Sequence, residues 1–357
     1  MRSKGSDMSV WNHQPVRSGL FLVSFVVLCW GGAAPAVGQV AFPPRLEAYF
    51  TKVVKLSADE RKLLLAGSPI AKNLEADPAR EVAVFGAIWI DAPVAKYVAA
   101  LQDIENFEKG AGFRATKKIS EPARIQDFAS LVLPGDDVQD LKACRVGDCQ
   151  LKLSGEALAR LKKEVDWTKP DAKVQVERLV RVLAVEYVNA YREGGNSRLA
   201  VYRDGNNPTF VANEFRELVS GMPELGEYLP DMRRYLLEFP KAAARPTTSF
   251  IYWQEAEFGL KPTIRISHVA IQESQEATIV ASKQLYSSHY FWTALELRGL
   301  IPDPSRGSGF WFVTANRSRS DGLTGFVGRI IRGKVREGAR KGLESALTGT
   351  KKKLEAR

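Results

Sequence analysis

SFIYWQEAEF (Ser249–Phe258), TIRISHVAI (Thr263–Ile271) and GFWFVTANR (Gly309–Arg317) are the stretches on which the fold turns. Each is rich in branched and aromatic residues, as strands are. In the second, Ile264, Ile266, His268 and Ala270 share one face while Arg265 and Ser267 take the other, the two-residue period of a pleated strand. Gly259-Leu260-Lys261-Pro262 supplies a turn between the first two. Ala277–Leu297 is too long for one flat strand at about 3.3 Å per residue, so a turn is expected near Ser287-Ser288. The run from Ser249 to Arg319 therefore reads as successive antiparallel strands.

Upstream, EVAVFGAIWI (Glu81–Ile90) is nearly continuously apolar, as a buried strand is. A helix follows from Pro93. Asp91 stands where a cap belongs, and Val94, Tyr97, Val98, Leu101 and Ile104 make its apolar face. Ser57-Ala58-Asp59-Glu60 is a capping-box pattern that opens an earlier helix within a helical lead over residues 39–80. Between about 121 and 245 the chain is mixed and mostly helical. Its surest helix runs from Asp171 to Glu193, with Val176, Leu179, Val180, Leu183, Tyr187 and Ala190 as the expected buried stripe and Gly194-Gly195 as the stop. Helices are also expected at Val211–Gly221 and Pro223–Phe239. A long helix from about Leu323 to Leu354 closes the chain. Gly328, Gly333, Gly338 and Gly342 within it cost about 1 kcal/mol each relative to Ala. Either the helix backbone approaches a sheet or ligand closely there, or the helix breaks.

Strand, helix, antiparallel strands and a long last helix form an order that resembles the helix-grip fold of START-like lipid-transfer and polyketide-cyclase proteins. EVAVFGAIWIDAPVAKYVAALQDIENFE matches the first strand and helix of such a domain, and Ser249–Leu354 its sheet and closing helix. The expected fold class is α+β: a curved antiparallel sheet wrapped around the C-terminal helix over residues 81–357, with a helical insertion at about 121–245. That insertion, a departure from the pattern, either caps the cavity or forms a separate layer. The chain also resembles exported bacterial proteins sharing stretches such as SKQLYSSHYF and NRSRSD, a resemblance that brings no activity with it.

Residues 1–38 read as a cleavable signal peptide. Arg2, Lys4 and Arg17 precede the apolar run Leu20–Trp30, and small residues at Ala36 and Gly38 suit cleavage before Gln39. The run is about 11 residues, whereas a bilayer span takes roughly 20, which disfavours a retained anchor. Leu28 before Cys29 disfavours a lipoprotein. The expected location is periplasmic or secreted. Loss of three basic residues and one acidic residue takes the net charge from +10 to +8. From Arg329 to Arg357 ten Lys or Arg stand against three Glu, so the last helix is a candidate contact for an anionic membrane surface, or simply a solvated face. Nucleic acid is not an expected partner, because no binding motif is present. Cys144 and Cys149, in CRVGDC with Gly147-Asp148 to turn the chain, read as a local disulfide.

No phosphate loop, dinucleotide fingerprint, nucleophile elbow or zinc motif is present, and neither a cofactor nor a metal is expected. Outside the leader the histidines are His268 and His289. Lys283 shares alternation parity with His289 if the strand stays regular, so Lys283, His289 and His268 are the catalytic candidates. Trp253, Tyr286, Tyr290, Trp292 and Trp311 are the candidate ligand-cavity walls, with Arg317 a candidate grip on an anionic head group or a partner of Asp321. Asp103, Glu105 and Glu108 read as a solvated helix face. The expected function is binding of a hydrophobic small molecule, a lipid above all, between sheet and last helix. The alternatives are an envelope enzyme of cyclase or hydrolase type on the same scaffold and an interaction protein.

Overall fold

The computed structural model describes residues 42–110, 112–243, 246–257, 261–320 and 325–356, with side chains in the last segment from 332 onward. All belong to one unit, Val40–Arg357. The expected signal peptide lies outside the described residues, as do Phe258 at the end of the first expected strand, Gly259 and Leu260 of the turn after it, and Asp321.

The lead folds as α1 (Pro44–Tyr49), a π-helical turn over Phe50–Val54, and α2 (Ala58–Leu65). The capping box forms: the Glu60 amide donates to Ser57 Oγ at 3.2 Å, and the Ser57 amide donates to Glu60 Oε2 at 2.7 Å. A short strand β1 (Ile70–Asn73) precedes β2 (Glu81–Ile90), which is buried along its whole length. Next come α3 (Val94–Gln102), α4 (Ile104–Phe107) and β3 (Phe113–Ile119). Asp91 does not cap α3. Pro93 occupies that place, and the Asp91 amide instead donates to Glu355 Oε1 at 2.7 Å, tying the strand end to the C-terminus.

The middle region is helical as expected: α5 (Gly135–Ala143), α6 (Gly155–Glu164), α7 (Ala172–Gly194), a two-residue hairpin β4 (Val201–Tyr202) and β5 (Thr209–Phe210), then α8 (Val211–Ser220), α9 (Pro223–Glu227) and α10 (Pro230–Glu238). The helix expected over Pro223–Phe239 is split, since Pro230 lacks the amide that would continue the ladder. In α7 the fully buried residues are Val176, Leu179, Val188 and Tyr191; Val180, Leu183 and Tyr187 are half-buried. The Cys144–Cys149 disulfide is present, and its loop is pinned by Gly147 and Cys149 amides donating to Arg203 and Asp204 carbonyls.

The strand run resolves into β6 (Thr248–Ala256), β7 (Thr263–Glu273), β8 (Thr278–Ser287), β9 (Phe291–Pro302) and β10 (Phe310–Ser320), and α11 (Gly325–Glu355) ends the chain. Eight strands make one open antiparallel sheet in the order β1-β2-β10-β9-β8-β7-β6-β3. The expected turn near Ser287-Ser288 is there, between β8 and β9. The last strand runs on past Arg317 to Ser320, pairing with β2 and β9.

Both faces of this sheet are covered, because both carry apolar rows. On one face Val84, Ile88, Phe312, Leu300 and Val280 pack with Tyr97, Val98 and Leu101 of α3 and with Leu343, Leu347 and Leu354 of α11. On the other, three helical patches lie side by side. The N-terminal helices cover Phe85, Trp89, Trp311 and Val313. Helices α8–α10 cover Ala270, Ala281, Leu295 and Leu297. Helices α5–α7 cover Ile251, Trp253, Ile266 and Leu285. The insertion is thus a separate layer on the face away from α11.

Helix α11 is continuous, so it does not break at its glycines, and no atom lies within 4 Å of a Cβ built on Gly333, Gly338 or Gly342, so these three do not approach the sheet; the surroundings of Gly328 lie outside the described residues. The close approach is made from the strand side. A Cβ on Gly86 of β2 would lie 2.9 Å from Leu347 Cδ1 and 3.0 Å from Leu343 Cδ2, so the missing side chain is what lets α11 seat on the sheet. Lys351 and Lys353 donate to the carbonyls of Trp89 and Phe107, both at 2.8 Å, which fastens the end of the helix. Among the described residues no helix is long and apolar enough to cross a membrane.

Candidate functional site

The catalytic candidates separate into two places. His268 and Lys283 are cross-strand partners on β7 and β8, facing the insertion. Lys283 Nζ donates to the hydroxyl of Tyr191 at 3.4 Å, which lies 3.0 Å from His268 Nδ1. It also bonds Asn196 Oδ1 and stands 4.2 Å from the centre of the Phe215 ring. Burial pushes the Lys283 ammonium down to about 7, and burial, with Lys283 and Arg192 nearby, pushes His268 down to about 3. Lys283 is 1% exposed and His268 5%, each packed among helices α7, α8 and α10. Both are closed to solvent, and their polar atoms bond one another and the helices that cover them.

His289 is elsewhere. The β7–β8 pairing shifts register after Ile266, and Tyr290 takes a left-handed backbone (φ 60°), so the parity that placed His289 beside Lys283 does not hold. Its Nε2 lies 3.1 Å from both oxygens of Asp137 at the start of α5, and its Nδ1 lies 3.1 Å from the Gln150 carbonyl. His289 shares no partner with Lys283 or His268 and fastens the insertion to the β8–β9 turn.

The aromatic candidates do not line the space beside α11. Trp253 stacks on Phe128 and donates its indole N–H to the Asp127 carbonyl at 2.8 Å. Tyr286 and Trp292 are half-buried against the α5–α7 patch. Tyr290 accepts from the Lys261 amide at 3.0 Å. Trp311 packs under the N-terminal helices and donates to Asp303 Oδ2 at 3.0 Å. Arg317 is buried and donates to Glu81 Oε2 at 2.8 Å, while Arg319 pairs with Glu81 at 3.4 Å and Glu214 at 2.9 Å. Its charge is already spent on a neighbour within the fold. These side chains share the parity of the insertion-facing rows, or follow the irregular β8–β9 turn, which is why the wall residues expected from composition fall on the other side of the sheet.

The sheet face that carries α3, α4 and α11 also holds a polar stretch that is not among the expected site residues. Tyr252, Ser267 and Gln284 stand in one row across β6, β7 and β8. Arg265 Nε donates to Gln284 Oε1 at 3.2 Å. On β9, Arg298 bonds Glu296 at 2.5 Å, and Thr314 of β10 reaches Glu296 at 3.4 Å. Glu108, just after α4, enters this group as the acceptor of a 3.4 Å bond from the Tyr252 hydroxyl. It is not on a solvated face: burial raises its carboxyl to about 7 despite the pull of Arg298 and Arg265. Among the described residues Glu108 Oε2 and Gln284 Nε2 are sealed from solvent without a hydrogen-bond partner. Two such atoms are costly, roughly 1–3 kcal/mol each, and mark a place for a polar group. The signal in the sequence was Arg265, Ser267, Glu296 and Arg298 at alternate positions of otherwise apolar strands.

No group of three metal-ligating side chains occurs among the described residues. No protein-family model matches this chain, and no curated protein matches it.

Proposed function

We propose that this is an exported protein with a helix-grip-like domain that binds a hydrophobic small molecule, a lipid above all, between the sheet and α11. The supporting observation is the polar stretch on the α11-facing side, where Glu108 Oε2 and Gln284 Nε2 lack partners beside Tyr252, Arg265 and Arg298. Such a stretch, bordered by the apolar rows of Val84, Val280 and Phe312, suits a ligand with an apolar body and one hydrogen-bonding end. Export rests on the leader pattern of residues 1–38 and agrees with the Cys144–Cys149 bridge. On the proposed membrane-facing helix, Lys334, Lys341 and Lys352 are exposed along α11.

Native mass spectrometry of the protein purified from its own host tests the reading. A co-purifying small molecule that is retained by the wild type and lost in Gln284→Leu is the expected result. Protein that carries no ligand, or one whose retention is indifferent to both Gln284→Leu and Glu108→Leu, would sink it.

The enzyme alternative, of cyclase or hydrolase type, moves from Lys283 and His289 to Glu108. A carboxyl held at about 7 beside a phenol and two guanidiniums is suited to general acid–base work at neutral pH. Turnover of a co-purified ligand that vanishes in Glu108→Gln while binding persists would favour it.

A further inference from the structure

The N-terminal helices meet α9 where the rings of Tyr49 and Tyr228 pack edge to face, but beyond that contact they and α9–α10 leave part of the outer face of the sheet uncovered. Between them runs a groove of about 570 Å³, open along one side and within the size range of small-molecule sites. Its floor is the row Ile279, Gly299 and Val313 across β8, β9 and β10. Gly299 makes the hollow: a Cβ there would lie 3.1 Å from Ile301 Cδ1 and 3.8 Å from both Ile279 Cδ1 and Val313 Cγ2. Ala315 deepens it on the next strand position of the same face.

One end of the groove is polar and, among the described residues, carries no free positive charge. Glu224 is buried there, and burial raises its carboxyl above the ordinary range despite the pull of Arg317. Beside it are the hydroxyls of Tyr49 and Tyr228, the latter sealed from solvent near Glu227 but in no hydrogen bond of ordinary geometry. The cations within reach are taken. Arg317 is held by Glu81, and Arg45 crosses the rim to Glu276 at 2.7 Å and to the Tyr228 carbonyl at 3.2 Å.

We propose that this groove is a second ligand site, on the opposite face of the sheet from the polar stretch beside Glu108, for an uncharged single-chain amphiphile. The chain lies on Ile279, Gly299 and Val313, and a hydroxyl, ester or amide head meets Glu224 and the two phenols. Phenols both donate and accept and the buried carboxyl accepts, so together they match a neutral, hydrogen-bonding head. An anionic head would meet no unpaired cation and one buried carboxyl, which selects against fatty-acid carboxylates and phosphates.

The test is fluorescence titration with N-phenyl-1-naphthylamine, an uncharged apolar probe, competed by 1-monomyristoylglycerol and by myristate. Displacement by the monoacylglycerol at concentrations at least tenfold below those needed with myristate is expected. Gly299→Val or Ala315→Leu should weaken that displacement tenfold or more, whereas Gln284→Leu, in the site beside Glu108, should leave it unchanged. Hydrogen exchange on the wild type provides a readout independent of any variant: 1-monomyristoylglycerol should protect residues 43–49, 224–232 and 297–301. Equal or better competition by myristate, or protection confined to strand segments beside Glu108, overturns the proposal. Loss of binding in Gln284→Leu alone would place the probe in the other site and overturn it equally, while leaving the reading of that site intact.

Discussion

Lys283 and His268 stand opposite one another on β8 and β7 and are joined by the Tyr191 hydroxyl, 3.4 Å from Lys283 Nζ and 3.0 Å from His268 Nδ1. The direction of the chain follows from its members. Lys283 donates to Tyr191, Tyr191 donates to Nδ1 of a neutral imidazole, and the Nε2–H of that imidazole faces the Tyr235 hydroxyl at 3.4 Å. The network closes the interface between sheet and insertion with each member bonded to the next.

That arrangement makes stability depend on pH through Lys283. Its folded value is depressed to about 7 from 10.5, so between those limits the unfolded chain holds a proton that the folded chain lacks. Stability therefore rises with pH across this window, and the penalty is fully present below about pH 7. The ring faces of Phe215 and Tyr191 return part of the cost to the charged form. In urea melts, the wild type should gain stability from pH 7 to pH 9, and Lys283→Met should be flat over that range and more stable at pH 7. A variant with the same slope as the wild type would contradict the account.

Glu108 has the opposite sign. Its folded value is raised to about 7 from 4.5, so its contribution is present below pH 4.5 and is lost as the pH rises through about 7. Glu108→Gln should raise the melting temperature at pH 8 and change it little at pH 4. Differential scanning calorimetry at the two pH values decides this, and an equal shift at both would remove the buried carboxyl as the cause.

The Glu81–Arg317 pair joins residues 236 positions apart with both side chains nearly closed to solvent. Removing one partner of such a pair leaves an uncompensated buried charge, so Glu81→Gln should cost roughly 3 kcal/mol. The double variant Glu81→Gln with Arg317→Met should recover part of that loss in equilibrium unfolding. A single variant within about 0.5 kcal/mol of wild type, the range of an ordinary surface substitution, would show that Arg319 and Glu214 carry the network without it.

Gly86 sets the seat of α11. Gly86→Val would force Leu343 and Leu347 off the sheet, at about 1–3 kcal/mol for overpacking. Exchange of backbone amides in residues 340–355 should quicken while β6–β8 stay protected. Uniform acceleration across the sheet would mean that the whole layer, not the helix seat, had been disturbed.

The order of strands and helices was legible because it is written in short periods. Glu81–Ile90 matched its strand residue for residue, and the Ser57–Glu60 cap formed as its side chains require. The two edge strands were not legible. Ile70–Asn73 spans four residues, and Phe113–Ile119 carries Arg114, Lys117 and Lys118, so neither has an apolar run to announce it. Glu108 was missed for a related reason: a carboxyl next to exposed Asp103 looks solvated until Tyr252, 144 residues away, closes over it.

Local alternation in this sequence determines which residues share a face: Ile264, Ile266, His268 and Ala270 on one side, Arg265 and Ser267 on the other. It does not determine what covers each face, because both carry enough apolar surface to bury. Only the tertiary structure put α3, α4 and α11 on the face of Arg265, Gln284 and Arg298 and the insertion over Trp253, His268 and Lys283. The physical reason is that periodicity is a property of adjacent residues. The cost of burying a charge, by contrast, depends on the partner that the fold brings to it.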